Sequence, residues 1–130
     1  MMRLQQIERD AAVRAAAPDG SEVRVLCRGK MASMAEFSLP AGAVSRAVAH
    51  RTVEELWFVV SGSGQMWRRI GDEASVVALH PGLSLSIPLG AHFQFRADQG
   101  APLVAIGATM PPWPGPDEAY PVAGPWEASA

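Results

Sequence analysis

Short apolar segments alternate with glycine and proline along most of the chain. Gly20, Gly29, Pro40-Ala41-Gly42, Gly62-Ser63-Gly64, Gly71, Pro81-Gly82, Pro88-Leu89-Gly90, Gly100 and Pro102 separate runs of strand length. Runs of this length, broken every 8–12 residues or so by turn signals, predict an all-β sandwich or barrel. The expected strands are Glu22–Arg28, Ser33–Leu39, Val44–His50, Glu55–Val60, Gln65–Ile70, Ala74–Leu79, Ser84–Ile87, His92–Arg96 and Pro102–Thr109. Ile70-Gly71-Asp72-Glu73 reads as a hairpin turn, with glycine supplying a positive φ.

The two ends depart from this pattern. Residues 1–17 form an arm rich in Ala, Gln, Glu and Arg, good helix formers, so a short surface helix or an irregular arm is expected before Pro18-Asp19-Gly20. Residues 111–130 carry Pro111, Pro112, Pro114, Pro116, Pro121 and Pro125, which cannot sit in a central strand. Trp113, Tyr120 and Trp126 in the same stretch are costly to leave in water, so the tail is expected to dock on the body, residues 18–110, rather than hang free.

Composition narrows the function classes. The 130 residues are one domain's worth; 48% are apolar and 18% charged, which describes a globular chain. A net charge of −2 provides no basic field for nucleic acid. No apolar run is long enough for a membrane span, and Glu8, Arg9 and Asp10 precede any apolar block, unlike a signal peptide. Cys27 is the single cysteine, which excludes a disulfide framework within the chain and suits the cytoplasm.

The candidate chemistry lies in the run HRTVEELWFVVSGSG, His50 to Gly64. If the strands ending at His50 and starting at Glu55 are antiparallel neighbours, both side chains reach one interior. Imidazole and carboxylate suit a divalent metal such as Mn, Fe, Ni or Zn, and equally a general acid–base pair. A solvated histidine on a surface turn is the alternative.

Gly42, His50, Glu55 and Gly62 are spaced as in the first motif of the cupin superfamily, and Gly82, Pro88 and Gly90 as in its second. The chain resembles the small single-domain cupins from about Pro18 to Thr109. The resemblance implies a double-stranded β-helix, the jelly-roll cupin barrel. It also implies a metal site of three histidines and a glutamate, of which only His50 and Glu55 stand here. Val48 and Phe93 occupy two histidine positions, and Ala97 the position of a motif asparagine. His92 is one residue out of register, which turns its side chain to the other face.

Strand parity turns Val48, Trp57, Val59, Phe93 and Phe95 inward with His50 and Glu55, and Arg46 joins them as a further polar group. The expectation is a small-molecule-binding cupin with an incomplete metal site, apolar walls and no tightly held cofactor. The alternatives are a metal-dependent enzyme, a dioxygenase or a sugar-phosphate-isomerase-like protein using His50, Glu55 and a re-aimed His92, and a plugged barrel that serves only to dimerise. Leu56, Phe58 and Val60 make the opposite face of their strand apolar too. It therefore needs a cover: the arm, the tail or the second subunit of a homodimer.

Overall fold

A computed structural model describes residues 3–130. The first two residues of the expected arm lie outside them. A 3-10 turn, Arg9–Ala11, precedes β1 (Val13–Ala16), β2 (Glu22–Arg28), β3 (Ser33–Leu39), β4 (Val48–His50), β5 (Glu54–Ser61) and β6 (Gly64–Ile70). β7 (Glu73–Leu79), β8 (Ser84–Ile87), β9 (His92–Ala97) and β10 (Leu103–Met110) follow. A second 3-10 turn, Pro116–Glu118, leads into β11 (Ala119–Pro121).

These strands form two antiparallel sheets, one of six strands in the order β1-β2-β3-β10-β5-β8 and one of five in the order β11-β4-β9-β6-β7. The expected double-stranded β-helix cupin barrel is therefore corrected to an open, all-β, two-sheet fold. No strand belongs to both sheets, and each sheet keeps two edges among the described residues. The chain crosses from β7 to β8, from one sheet to the other, through His80-Pro81-Gly82 without a ladder between them. A four-residue β8 and a largely exposed β7 are typical of edge strands.

Where hydrophobic alternation is strong, strand and sequence agree to within a residue. β5 alternates outward and inward, with Glu55, Trp57 and Val59 buried. Leu56, Phe58 and Val60 remain about half exposed, at 52%, 50% and 48%. The hairpin between β6 and β7 pairs Ile70 with Glu73 around Gly71, whose φ of 57° suits the first central position of a tight two-residue turn. The strand expected from Val44 shrinks to Val48–His50, because the chain after Gly42 is irregular and Val44 makes only an isolated bridge to Arg96. β1 lies in the expected arm. Its residues favour helix, but pairing with β2 outweighs that weak propensity. Behind it, Arg9 and Arg24 both reach the buried carboxylate of Glu36, tying the N-terminal segment to the sheet.

The core lies between the sheets and is led by Leu39, Val59, Met66, Leu79, Phe93 and Phe95. Phe37 on β3 and Trp57 on β5 stack at 5.0 Å over β10, the strand between them. Gly107 permits this, since a Cβ there would stand 2.6 Å from the Phe37 ring and 3.2 Å from that of Trp57. Gly107→Ala should prise the rings apart and cost about 1–3 kcal/mol, read as a lowered melting temperature and altered tryptophan fluorescence. An unchanged melting temperature would show that the rings have slack.

The tail runs along the smaller sheet. β11 pairs with β4, Ala119 opposite His50 and Pro121 opposite Val48. Beyond it the buried amide of Gln94 donates to the carbonyls of Ser45 (2.8 Å) and Trp126 (2.9 Å) and accepts from the Trp126 N–H (3.2 Å). The Arg96 guanidinium lies over the Trp126 ring at 4.1 Å. The strength of β11 is in its backbone pairing, since Ala-Tyr-Pro shows no alternation that could announce a strand.

Candidate active site

A cavity of about 440 Å³ opens between the two sheets. Its larger-sheet wall comes from β1 to β3, the end of β10 and the start of β5. Val48 and His50 of β4 and Phe93 of β9 face them, and Trp113, Gly115, Pro116 and Ala119 of the tail complete the wall. The lining is predominantly apolar. Its polar exceptions are His50, Glu55, Asp19, Thr109 and Ser33, with Arg28 at an exposed position.

The strands place the central pair. His50 ends β4 and Glu55 lies near the start of β5, so one short turn sets both facing the same interior, buried to 6% and 3% exposure. The Glu55 carboxyl accepts the Trp57 indole N–H at 2.8 Å on Oε2. Burial pushes it up to about 8 from the usual 4.5; the indole bond opposes this and nearby Asp19 adds to it. Asp19 is itself pushed up by burial, although the Ser21 N–H and hydroxyl both donate to it. His50 moves the opposite way. Burial lowers it to about 4 from 6.5, against the pull of Glu118. Burial thus favours the uncharged forms of both the imidazole and the carboxyl that line this cavity at neutral pH.

Among the described residues, no hydrogen bond holds the imidazole. Its Nδ1 is enclosed without a polar partner, and aromatic edges hold the ring, Phe93 at 5.3 Å and Trp113 at 5.4 Å. A buried unsatisfied nitrogen costs about 1–3 kcal/mol. His50→Leu is therefore expected to leave the melting temperature unchanged or raise it, the pattern of a residue kept for chemistry rather than stability. A fall of many degrees would mean that the imidazole is structural.

The structure separates the residues that sequence parity grouped together. Val48, His50, Glu55, Trp57 and Phe93 line the cavity. Val59 and Phe95 are buried in the core and do not line it, and Arg46 is exposed. His92 neighbours inward Phe93 on β9 and is not part of the lining. The metal-site expectation is corrected: among the described residues no three His, Cys, Asp or Glu side chains are grouped to hold an ion. Parity had available Phe37 and Thr109, which share the inward face of their strands. Asp19, Trp113 and Glu118 come from irregular segments, where no periodicity signals them.

No family model matches the chain, and no curated protein matches its sequence. Solved structures do. The chain is similar to Pac13 of Streptomyces, described as a unique nucleoside dehydratase, with a TM-score of 0.71 at 12% identity over 93% of this chain and 92% of that one. A Pac13 variant holding uridine gives 0.72 at 14% identity, over 94% and 92%. The capsular polysaccharide assembling protein CapF of Staphylococcus aureus gives 0.70 at 16% identity over 84% of this chain. The chain spans about a third of CapF, 33% of its length. At such identities the likeness is one of fold. The cupin resemblance and the incomplete-metal-site reading are both corrected by these findings: the match is to the fold of Pac13 and CapF, and no metal cluster is present among the described residues.

Proposed function

We propose that the chain is a dehydratase that removes water from a small, uncharged, hydroxylated substrate by acid–base chemistry. The observation that carries this reading is a histidine and a glutamate buried in one apolar cavity, where burial favours the uncharged form of each. Elimination needs a base for a C–H proton and an acid for the departing hydroxyl. With Nδ1 enclosed, Nε2 of His50 is the nitrogen that meets a ligand, and it takes a proton from a carbon acidified by a neighbouring carbonyl. The C–H electrons form the new double bond, the C–O bond breaks, and Glu55 protonates the leaving oxygen as water. The resulting imidazolium and carboxylate neutralise each other, and proton return from His50 to Glu55 restores the site.

The fold shared with a nucleoside dehydratase supports this reading, and so does the lining. The stacked Phe37–Trp57 pair offers a flat apolar surface for a ring, and among the described residues that line the cavity no cation is buried to neutralise a phosphate. Because the base must be unprotonated and the acid protonated, activity should plateau between about pH 4 and 8, the limits set by His50 and Glu55.

The test uses neutral nucleosides and sugars, with and without a carbonyl beside a C–H, and includes uridine as a binding probe. Expected results are a raised melting temperature with a binder, and loss of one water by mass from a carbonyl-bearing member. Turnover that survives unchanged in His50→Asn, or a complete absence of binding and water loss across the panel, would overturn the proposal.

A further inference from the structure

The turn that carries His50 and Glu55 at its two ends is held from outside, by the tail. The buried carboxylate of Glu118 accepts the Thr52 N–H at 2.6 Å, the Val53 N–H at 3.1 Å and the Thr52 hydroxyl. Its main-chain carbonyl accepts the Arg51 N–H at 2.9 Å, and that of Asp117 accepts the Arg51 guanidinium at 2.9 Å. The guanidinium also lies 4.8 Å over the Tyr120 ring. The Thr52 and Val53 amides therefore depend on one side chain, 65 residues further along for Val53, and that chain segment also brings Trp113 against the imidazole.

We propose that Glu118 is a positioning residue for His50, fixing where the imidazole stands in the cavity by clamping the Arg51–Val53 turn. The proposal rests on the dehydratase reading only in treating His50 as the working group. A carboxylate meets this need better than an amide. It can receive three donors on two oxygens while charged, and charge-assisted bonds are the stronger kind. Burial alone would raise Glu118, but those donors hold its carboxyl below the usual range. Its charge therefore persists beside the imidazole and favours the protonated ring. The other groups near the ring do less. Glu55 and Asp19 are pushed towards their neutral forms, Arg28 is exposed, and the Arg51 guanidinium is engaged by Asp117 and Tyr120.

The test is made on the full chain without ligand, so it stands apart from any failure to find turnover. The His50 ring is titrated by NMR, with its signal assigned through His50→Asn, and amide exchange is followed at Thr52 and Val53. Glu118→Gln should lower the His50 midpoint by about half a unit or more and speed exchange at both amides about tenfold. Thr52→Val, which keeps the carboxylate, should speed exchange and leave the midpoint nearly in place. Should Glu118→Gln unfold the chain, Glu118→Asp carries the test, because it keeps the charge on a shorter reach. Faster exchange with a largely retained midpoint is then expected. Unchanged exchange in the Gln or Asp variant would overturn the proposal, as would a midpoint moved as far by Thr52→Val as by Glu118→Gln.

Discussion

Glu55→Gln should lower turnover by about 10²- to 10⁴-fold, the usual contribution of a positioned acid, while making the protein more stable at pH 8. The two effects share one cause. A carboxyl pushed up to about 8 by burial remains available as a proton donor at neutral pH, and it also costs the folded state free energy. Glutamine keeps the shape, can still accept the Trp57 indole N–H through its amide oxygen, and has no proton to give.

The pH dependence follows from which state holds the proton. Between about pH 4.5 and 8 the unfolded chain has released the Glu55 proton and the folded chain retains it, so stability falls as pH rises through that window. His50 acts oppositely. Between about pH 4 and 6.5 the unfolded chain takes up a proton that the folded chain refuses, so stability rises with pH there. The two slopes oppose each other up to about 6.5, and above it, of these two groups, only Glu55 acts; buried Asp19, also pushed up, tilts stability the same way as Glu55. The parent protein should therefore lose stability between pH 6.5 and 8, and Glu55→Gln should lose markedly less. The gap at pH 8 should be on the order of a few kcal/mol, readable in denaturant midpoints at several pH values. Parallel profiles, together with undiminished turnover in the variant, would remove Glu55 from the acid's role.

How much of this was legible in the sequence depended on periodicity. Strands β5 to β10 carry clear alternation between glycine and proline breaks, and their positions could be read from it. The sheet edges could not, because closure depends on which strands pair, and a strand's pattern does not name its neighbour. Apart from His50 and Glu55, the cupin-like spacing fell on Gly42, Gly62, Gly82, Pro88 and Gly90, which punctuate turns. All four glycines take positive φ, a demand that any sandwich with sharp turns makes, so this part of the match reported turns, and among the described residues no metal cluster accompanies it. Arg46 shows the limit of parity reasoning. It shares phase with Val48 and His50 only if the strand begins at Val44, and the chain there is irregular. Phe37 and Thr109 were reachable by the rule that singled out Trp57. Glu118 was not, because its place depends on the distant Thr52 and Val53 amides, nor was Asp19, which sits in a turn without periodicity and whose main-chain carbonyl meets the distant Arg46 N–H.

Deleting residues 111–130 should lower the melting temperature by about 10 °C or more and let a hydrophobic dye bind. The segment supplies the β11 ladder to β4, the Glu118 clamp on the turn between β4 and β5, and the Trp113 edge against His50. Its loss leaves the Thr52 and Val53 amides without their acceptor and Gln94 without Trp126, and each buried group so stranded costs about 1–3 kcal/mol unless water reaches it. A shorter deletion from Gly124 separates these contributions. It removes the Trp126 contacts to Gln94 and Arg96 but spares β11 and Glu118, so it should cost less and leave the cavity wall standing. If the long deletion melts where the parent does and binds no more dye, the sheets hold the cavity unaided and the tail's contacts are incidental. If the short deletion costs as much as the long one, the stabilising contacts are those made beyond Gly124, at Gln94, Arg96 and Val44, rather than those beside His50.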